Sequence, residues 1–320
     1  MDGDGVYLEG DDCDDNNPGL GDVSLDEDCD GVLTAEDCDD TDATAWQCGT
    51  SSGTAGLSCD ALLQAGGSLA SSTYWINPDS GGAFEAHCEM DSQSGGWTLV
   101  MTLVDDDRQL SDWDANNMWN YPGQNRWADQ STFGALNTST TAQTGDYKNR
   151  AYWALSASNV FMAHVPNGTA VASALSNALY AYHTTDGFLS SYGSSLYQLY
   201  TSHYSMESVG SRYIGLRVDV TFTVGSASGL HGRQHVNSRN ETEAGGITFT
   251  VSNQEGTRAA LCPVKYRTNS FNTEHSCVGG LGSTQGRGQG GWGNLNEWSY
   301  DNDWGFDTTM LTSTWMTFVR

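Results

Sequence analysis

The sequence predicts an α+β domain with much irregular structure, preceded by a short acidic segment that carries several of its cysteines. Three observations point there: acids crowd the N-terminus, apolar residues beyond Leu57 come in short runs between Gly-, Asn- and Ser-rich turns, and long amphipathic periods are scarce. The 320 residues suffice for one large domain or two ordinary ones. Forty acidic residues face 13 basic ones, a formal net charge of −27. Seventeen of those acids precede Cys48 in a stretch without Lys or Arg, and the first base is Arg108. Such a surface repels nucleic acid and anionic lipid, which argues against both as partners. No apolar run approaches the ~18 residues of a membrane span. No signal peptide opens the chain; Met1 leads into a motif already in progress, so the sequence reads as trimmed at its start.

The regular spacing of the N-terminal acids is itself a signal. Asp26-Glu-Asp28-Cys-Asp30-Gly31-Val32-Leu-Thr34-Ala-Glu-Asp37 follows the loop pattern of an EF-hand, with Asp in place of the final Glu. Side chains at positions 1, 3 and 5 of a tight loop converge on one point, Gly31 allows the turn, the Val32 carbonyl adds an oxygen, and Asp37 closes the shell. That oxygen set predicts calcium. Asp2-Gly-Asp4-Gly5-Val6 followed by Asp11 repeats the frame 26 residues earlier, without its first ligand. No amphipathic helices flank these loops, so the ion is expected to stiffen a stalk.

The eight cysteines are Cys13, Cys29, Cys38, Cys48, Cys59, Cys88, Cys262 and Cys277. An even count without any Cys-x-x-Cys reads as disulfides in an oxidising, extracellular or cell-surface setting. The expected organisation is acidic calcium-binding repeats over 1–48, a Ser/Thr/Gly linker over 49–56, and the main domain over 57–320. Within that domain the segment Ala170–Tyr182 has helical period through Val171, Leu175, Ala178, Leu179 and Tyr182, and Gly187–Tyr200 carries a second short helical candidate. Strands are expected at Trp97–Val104, Ile214–Val224, Ile247–Val251 and Thr314–Val319.

Two resemblances sharpen this reading. The acidic repeats resemble thrombospondin type 3-like calcium repeats, in which ions and disulfides replace a hydrophobic core; that resemblance implies the pairs Cys13–Cys29 and Cys38–Cys48. In the main domain, Cys59-Asp-Ala-Leu-Leu63, Cys88-Glu-Met-Asp91 and Gly95-Gly-Trp-Thr-Leu-Val100 resemble the opening of a fibrinogen-related domain. Later motifs are similar to those of intelectins (X-type lectins): Arg126-Trp-Ala-Asp-Gln-Ser-Thr-Phe-Gly134, Asp146-Tyr-Lys-Asn149, His164-Val-Pro-Asn167, Thr185-Asp-Gly-Phe-Leu189, and Asn272-Thr-Glu-His275 before Cys277-Val-Gly-Gly280. The similarity runs in order from Ser58 to Arg320. It implies a fibrinogen-like fold, the pairs Cys59–Cys88 and Cys262–Cys277, several calcium ions, and binding of microbial glycans that bear a terminal exocyclic 1,2-diol of galactofuranose, heptose or glycerol type.

By that resemblance Asn272 and Glu274 are oxygen ligands of the sugar-binding calcium, and His275 touches the sugar hydroxyls. A partly filled calcium shell keeps water that two adjacent hydroxyls can replace. The family's third carboxylate comes from the loop after Cys277, yet Ser283–Gly291 contains no acid; Gln285 and Glu297 are the substitutes, with Glu297 preferred. Aromatic rings admit a slim diol arm and exclude a bulky ring. Trp298 matches one wall, while Phe306, Trp304 and Tyr300 compete for the other. Further calcium ions would use Asp105, Asp107, Asp112 and Asp146; the family's His ligand in that loop is matched here by Val104, so one site must differ. No nucleophile elbow, phosphate loop or His-Glu-x-x-His occurs, so no enzyme is expected. The alternative is a fibrinogen-related adhesion or protein-binding module without diol recognition. Homo-oligomerisation is left open.

Overall fold

The computed structural model describes residues 13, 22–24, 26–31, 48–66, 69–104, 120–121, 124–125, 127, 129–178, 180–185, 187–203, 219–222, 224–227, 247–252, 259–263, 266–267, 270–271 and 313–320. The chain divides into two compact units, Met1–Thr98 and Leu99–Arg320.

In the first unit, helix α1 (Cys59–Gly66) starts where the Ser58 hydroxyl accepts the Ala61 N–H at 3.0 Å, with Asp60 in the favourable first turn. Leu62 is its buried anchor. Strands β1 (Ser72–Ile76) and β2 (Phe84–Glu89) pair antiparallel from Ser72↔Cys88 to Ile76↔Phe84. β2 continues onto the start of β3 (Trp97–Val104) through Cys88↔Thr98 and Glu89↔Trp97. The Cys59–Cys88 disulfide fastens α1 to β2, and the Cys59 N–H donates to Thr98 Oγ1 at 3.2 Å. All eight residues of β3 are buried, Thr98 and Thr102 among them, as in a strand covered on both faces.

In the second unit the two-residue strands β4 (Asn120–Tyr121) and β5 (Gln124–Asn125) form a small ladder. The later residues of β3 pair with β6 (Tyr147–Lys148) through Met101↔Lys148 and Thr102↔Tyr147, and α2 (Ala151–Ala154) follows. Strand β7 (Val160–Pro166) lies between β8 (Tyr180–His183) and the C-terminal β15 (Ser313–Val319), and β8 pairs on with β10 (Val224–Ala227); every pairing is antiparallel. Trp315, Met316 and Phe318 of β15 are fully buried, as are Ala163 and Val165 of β7. A second sheet orders as β12 (Ala259–Pro263), β11 (Ile247–Ser252) and β9 (Asp219–Phe222), and β13 (Tyr266–Arg267) pairs with β14 (Ser270–Phe271). α3 (Leu196–Gln198) is capped by Ser195, whose hydroxyl accepts the Gln198 N–H at 3.2 Å. Among the described residues no helix is long and apolar enough to cross a membrane.

The strands expected at Trp97–Val104, Ile247–Val251 and Thr314–Val319 are present within a residue. The expected helix over Ala170–Tyr182 is not. A single 3-10 turn spans Val171–Ser173, and Tyr180–His183 is a strand registered on β7 from His164↔Tyr180 to Phe161↔His183. Asn177 ends the turn by donating its side-chain amide to the Ser173 carbonyl at 2.8 Å, the local competition that makes Asn a poor helix interior residue. Sheet pairing on both edges of β8 then outweighs the helical period. Over Gly187–Tyr200 the expected helix becomes a 3-10 turn at Phe188–Tyr192 followed by α3. For the predicted strand Ile214–Val224, the described part is β9 and the first residue of β10.

Candidate metal centre

The loop Asp26–Gly31 brings three carboxylates together. Asp26, Asp28 and Asp30 each offer an oxygen, and these atoms lie within 4.8 Å of one another. Positive φ at Cys29 (62°) and Gly31 (97°) turns the chain back on itself. The Gly31 N–H then donates to Asp26 Oδ2 at 2.9 Å, and the Asp30 N–H lies 3.3 Å from Asp26 Oδ1 and 3.2 Å from Asp28 Oδ1. A left-handed conformation costs an L-residue about 1–2 kcal/mol, and at Cys29 the disulfide to Cys13, with Cα atoms 5.2 Å apart, holds it in place. Just upstream, the Ser24 N–H donates to Asp22 Oδ1 at 2.8 Å; bonds from the Ser24 backbone and hydroxyl hold the Asp22 carboxyl below its ordinary range.

Asp26 is buried and its two neighbours are half-buried. At 4.8 Å, two like charges repel by about 1 kcal/mol in water and about 3.5 kcal/mol at an effective dielectric of 20. Three such pairs share one loop, and the Asp30 and Gly31 N–H groups answer part of that charge. The donor set is all oxygen, since Cys13 and Cys29 are consumed in their disulfide and offer no thiolate. Hard carboxylate oxygens at alternate positions fit calcium and do not fit a thiolate-seeking metal. Asp26, Asp28 and Asp30 therefore fit the ion expected of this loop. Asp2, Asp4, Asp11, Val32 and Asp37 lie outside the described residues.

Asp146 belongs to the second unit. Its Oδ1 accepts the N–H of Val104, the last residue of β3, at 2.9 Å. Asp105, Asp107 and Asp112 lie outside the described residues. The rest of the Asp146–Asn149 motif ties the second unit together, a role the sequence did not disclose. Lys148 is fully buried; its Nζ meets Asp129 Oδ1 at 2.5 Å and the Asp129 carbonyl at 3.1 Å, with the rings of Tyr152 and Phe133 at 5.0 and 5.6 Å. Burial works to raise the Asp129 pKa, but hydrogen bonds from Lys148 and Ser131 and the Lys148 charge outweigh it, and the carboxyl ends below its ordinary value. Asn149 donates to the Leu99 carbonyl at 2.8 Å and to Tyr147 Oη at 2.9 Å, and its Oδ1 accepts the Ala151 N–H that opens α2. A lysine inside a Tyr-Lys-Asn run was the available signal, because a buried cation must find a counter-charge.

Residues 55–158 match the C-terminal globular domain of the fibrinogen beta and gamma chains. The matched stretch holds α1, β1 to β6 and α2, together with the Cys59–Cys88 disulfide and the Asp129–Lys148 ion pair. Over that stretch the chain is similar to a fibrinogen-type domain, and the strand pairings β1–β2, β2–β3 and β3–β6 within it are antiparallel. The match ends before Asn272, Glu274, His275, Glu297, Trp298, Tyr300, Trp304 and Phe306, all of which lie outside the described residues. The ladder of β13 and β14 ends at Phe271, directly before Asn272. Of the remaining expected disulfides, Cys48 is disulfide-bonded and Cys262 lies on β12, while Cys38 and Cys277 are outside the described residues.

Proposed function

We propose that this chain is a calcium-dependent carbohydrate-binding protein of the intelectin type, acting outside the cell or on its surface, with binding and not catalysis as its task. The reading rests on the fibrinogen-type match over 55–158, a kind of domain that often mediates binding, joined to the Asn272-Thr-Glu-His275 motif further along. In this proposal Asn272, Glu274 and Glu297 hold a calcium ion, His275 orients the diol, and Trp298 with one of Tyr300, Trp304 or Phe306 excludes bulky rings. The ion supplies open coordination positions that adjacent hydroxyls can occupy in place of water.

The N-terminal segment, residues 1–48, is proposed to be a calcium- and disulfide-stapled stalk of thrombospondin type 3-like repeats. Its support is the convergence of Asp26, Asp28 and Asp30 beside the Cys13–Cys29 bond. Asp146, fixed to the end of β3, supports a further ion beside Asp105 and Asp107.

Retention on a galactofuranose- or glycerol-bearing matrix tests the reading. The protein should be held in calcium and released by EDTA or free glycerol. Because the family match stops at residue 158, a fibrinogen-related adhesion module without diol recognition is the competing reading. Retention that ignores both eluants, or no retention at all, favours that competitor.

A further inference from the structure

Within the first unit, β1 pairs with β2 along one edge. Backbone N–H groups alternate in direction along a strand, so the N–H groups of Trp75 and Asn77 share the other edge. That edge is occupied by residues 49–56, whose Ser/Thr/Gly composition reads as a linker. The Trp75 N–H donates to the Gly49 carbonyl at 2.7 Å, the Asn77 N–H donates to the Gly56 carbonyl at 2.8 Å, and Gly56 bridges Ile76 in parallel.

The segment also satisfies itself. The Gly49 N–H donates to the Thr54 carbonyl at 2.6 Å, the Ser51 N–H to Thr54 Oγ1 at 3.1 Å, and the Thr54 N–H to Ser51 Oγ at 3.3 Å; Thr54 is buried. Both terminal glycines press on Leu62 of α1. A Cβ on Gly56 would stand 2.5 Å from Leu62 Cδ2; one on Gly49, whose φ is 71°, would stand 2.9 Å from Leu62 Cδ1 and 3.2 Å from Tyr74 Cβ. Disulfide-bonded cysteines, Cys48 and Cys59, bracket the segment.

We propose that Cys48–Gly56 is a fixed strap that seals the outer edge of β1 against pairing with a second copy of this chain. The strand it covers is Ser-Thr-Tyr-Trp-Ile, β-branched and aromatic, with no charge or proline to discourage edge-to-edge addition. A bare edge of this kind templates its own pairing, and a covering loop is one of the ways proteins prevent it.

Amide hydrogen exchange on the full chain, joined to light scattering, tests the strap. Protection of the Trp75 and Asn77 amides should slow their exchange at least ~100-fold relative to an unstructured chain. Gly49→Ala should release these two amides at least ~10-fold while leaving those of Met162 and Phe318 unchanged, and should raise the mass in solution above that of the wild type. If Gly49→Ala loosens every amide alike, Gly56→Ala gives the selective release in its place, because it crowds only Leu62. Unprotected Trp75 and Asn77 amides in the wild type overturn the strap. Release of the edge in either variant with no change of mass overturns its role against self-pairing.

Discussion

The Asp26–Gly31 loop and the β7–β15 ladder are held by opposite means. In the loop, carboxylates within 4.8 Å of one another repel, and a disulfide fixes the turn. In the ladder, seven registered pairs from Ser313↔Pro166 to Val319↔Val160 bury Trp315, Met316 and Phe318 without any charge to neutralise. If an ion answers its charges as proposed, the first region should resist unfolding only while that ion is bound and the Cys13–Cys29 bond is intact. The second resists through apolar area, which salt and chelator leave intact. Perturbations should therefore separate them.

The largest effect is expected in the ladder. Trp315→Ala should cost about 3–5 kcal/mol, read as a lowered denaturation midpoint that is the same with calcium or EDTA. A calcium-dependent penalty there would break the contrast. Next comes acid. Burial lowers the pKa of His87 from 6.5 to about 4, so the unfolded chain binds a proton that the native one refuses. That stability is present above pH 6.5 and drains away as pH falls to about 4, a loss of about 3 kcal/mol. A pH titration of unfolding should show His87→Leu flattening this limb. Asp129, whose folded pKa is depressed, loses its contribution only below the ordinary carboxylate value of about 4, so the two acid limbs are distinct.

The Lys148–Asp129 pair gives a smaller effect with a clear asymmetry. Asp129→Ala strands a buried ammonium and should cost about 2 kcal/mol, less than a fully buried pair because Asp129 is 38% exposed. Replacing both partners, Lys148→Met with Asp129→Leu, removes the two charges together, and urea denaturation should place the double variant within about 1 kcal/mol of wild type. Smallest is Asp28→Asn in the acidic loop, which should change sign with the ion. Without calcium it removes repulsion and stabilises the loop by about 1 kcal/mol. With calcium it removes a ligand and makes the loop more susceptible to proteolysis. The same sign in both buffers would argue that no cation belongs there.

Legibility in the sequence divided along the same line. Asp26, Asp28 and Asp30 could be read because the spacing is itself the chemistry: alternate side chains of one tight loop reach one point. β3, β11 and β15 could be read because apolar runs between turn residues have few other uses. β1 and β2, by contrast, mix Ser, Thr, Glu and His with aromatics and are only partly buried, so they carry no clean alternation. Asp129 and Lys148 are 19 residues apart with no periodic relation, and only the fold brings them within reach. The strap was hidden for another reason. Ser, Thr and Gly compose both a flexible linker and a turn whose hydroxyls satisfy its own amides, and composition alone does not separate the two.

The central claim concerns sugar recognition at Asn272–His275, and a glycan array run with and without calcium addresses it most directly. The wild type should bind glycans bearing terminal exocyclic 1,2-diols in calcium and lose them in EDTA, and Glu274→Gln should lose them in both. Diol binding that survives EDTA, or that Glu274→Gln retains in full, would contradict the account.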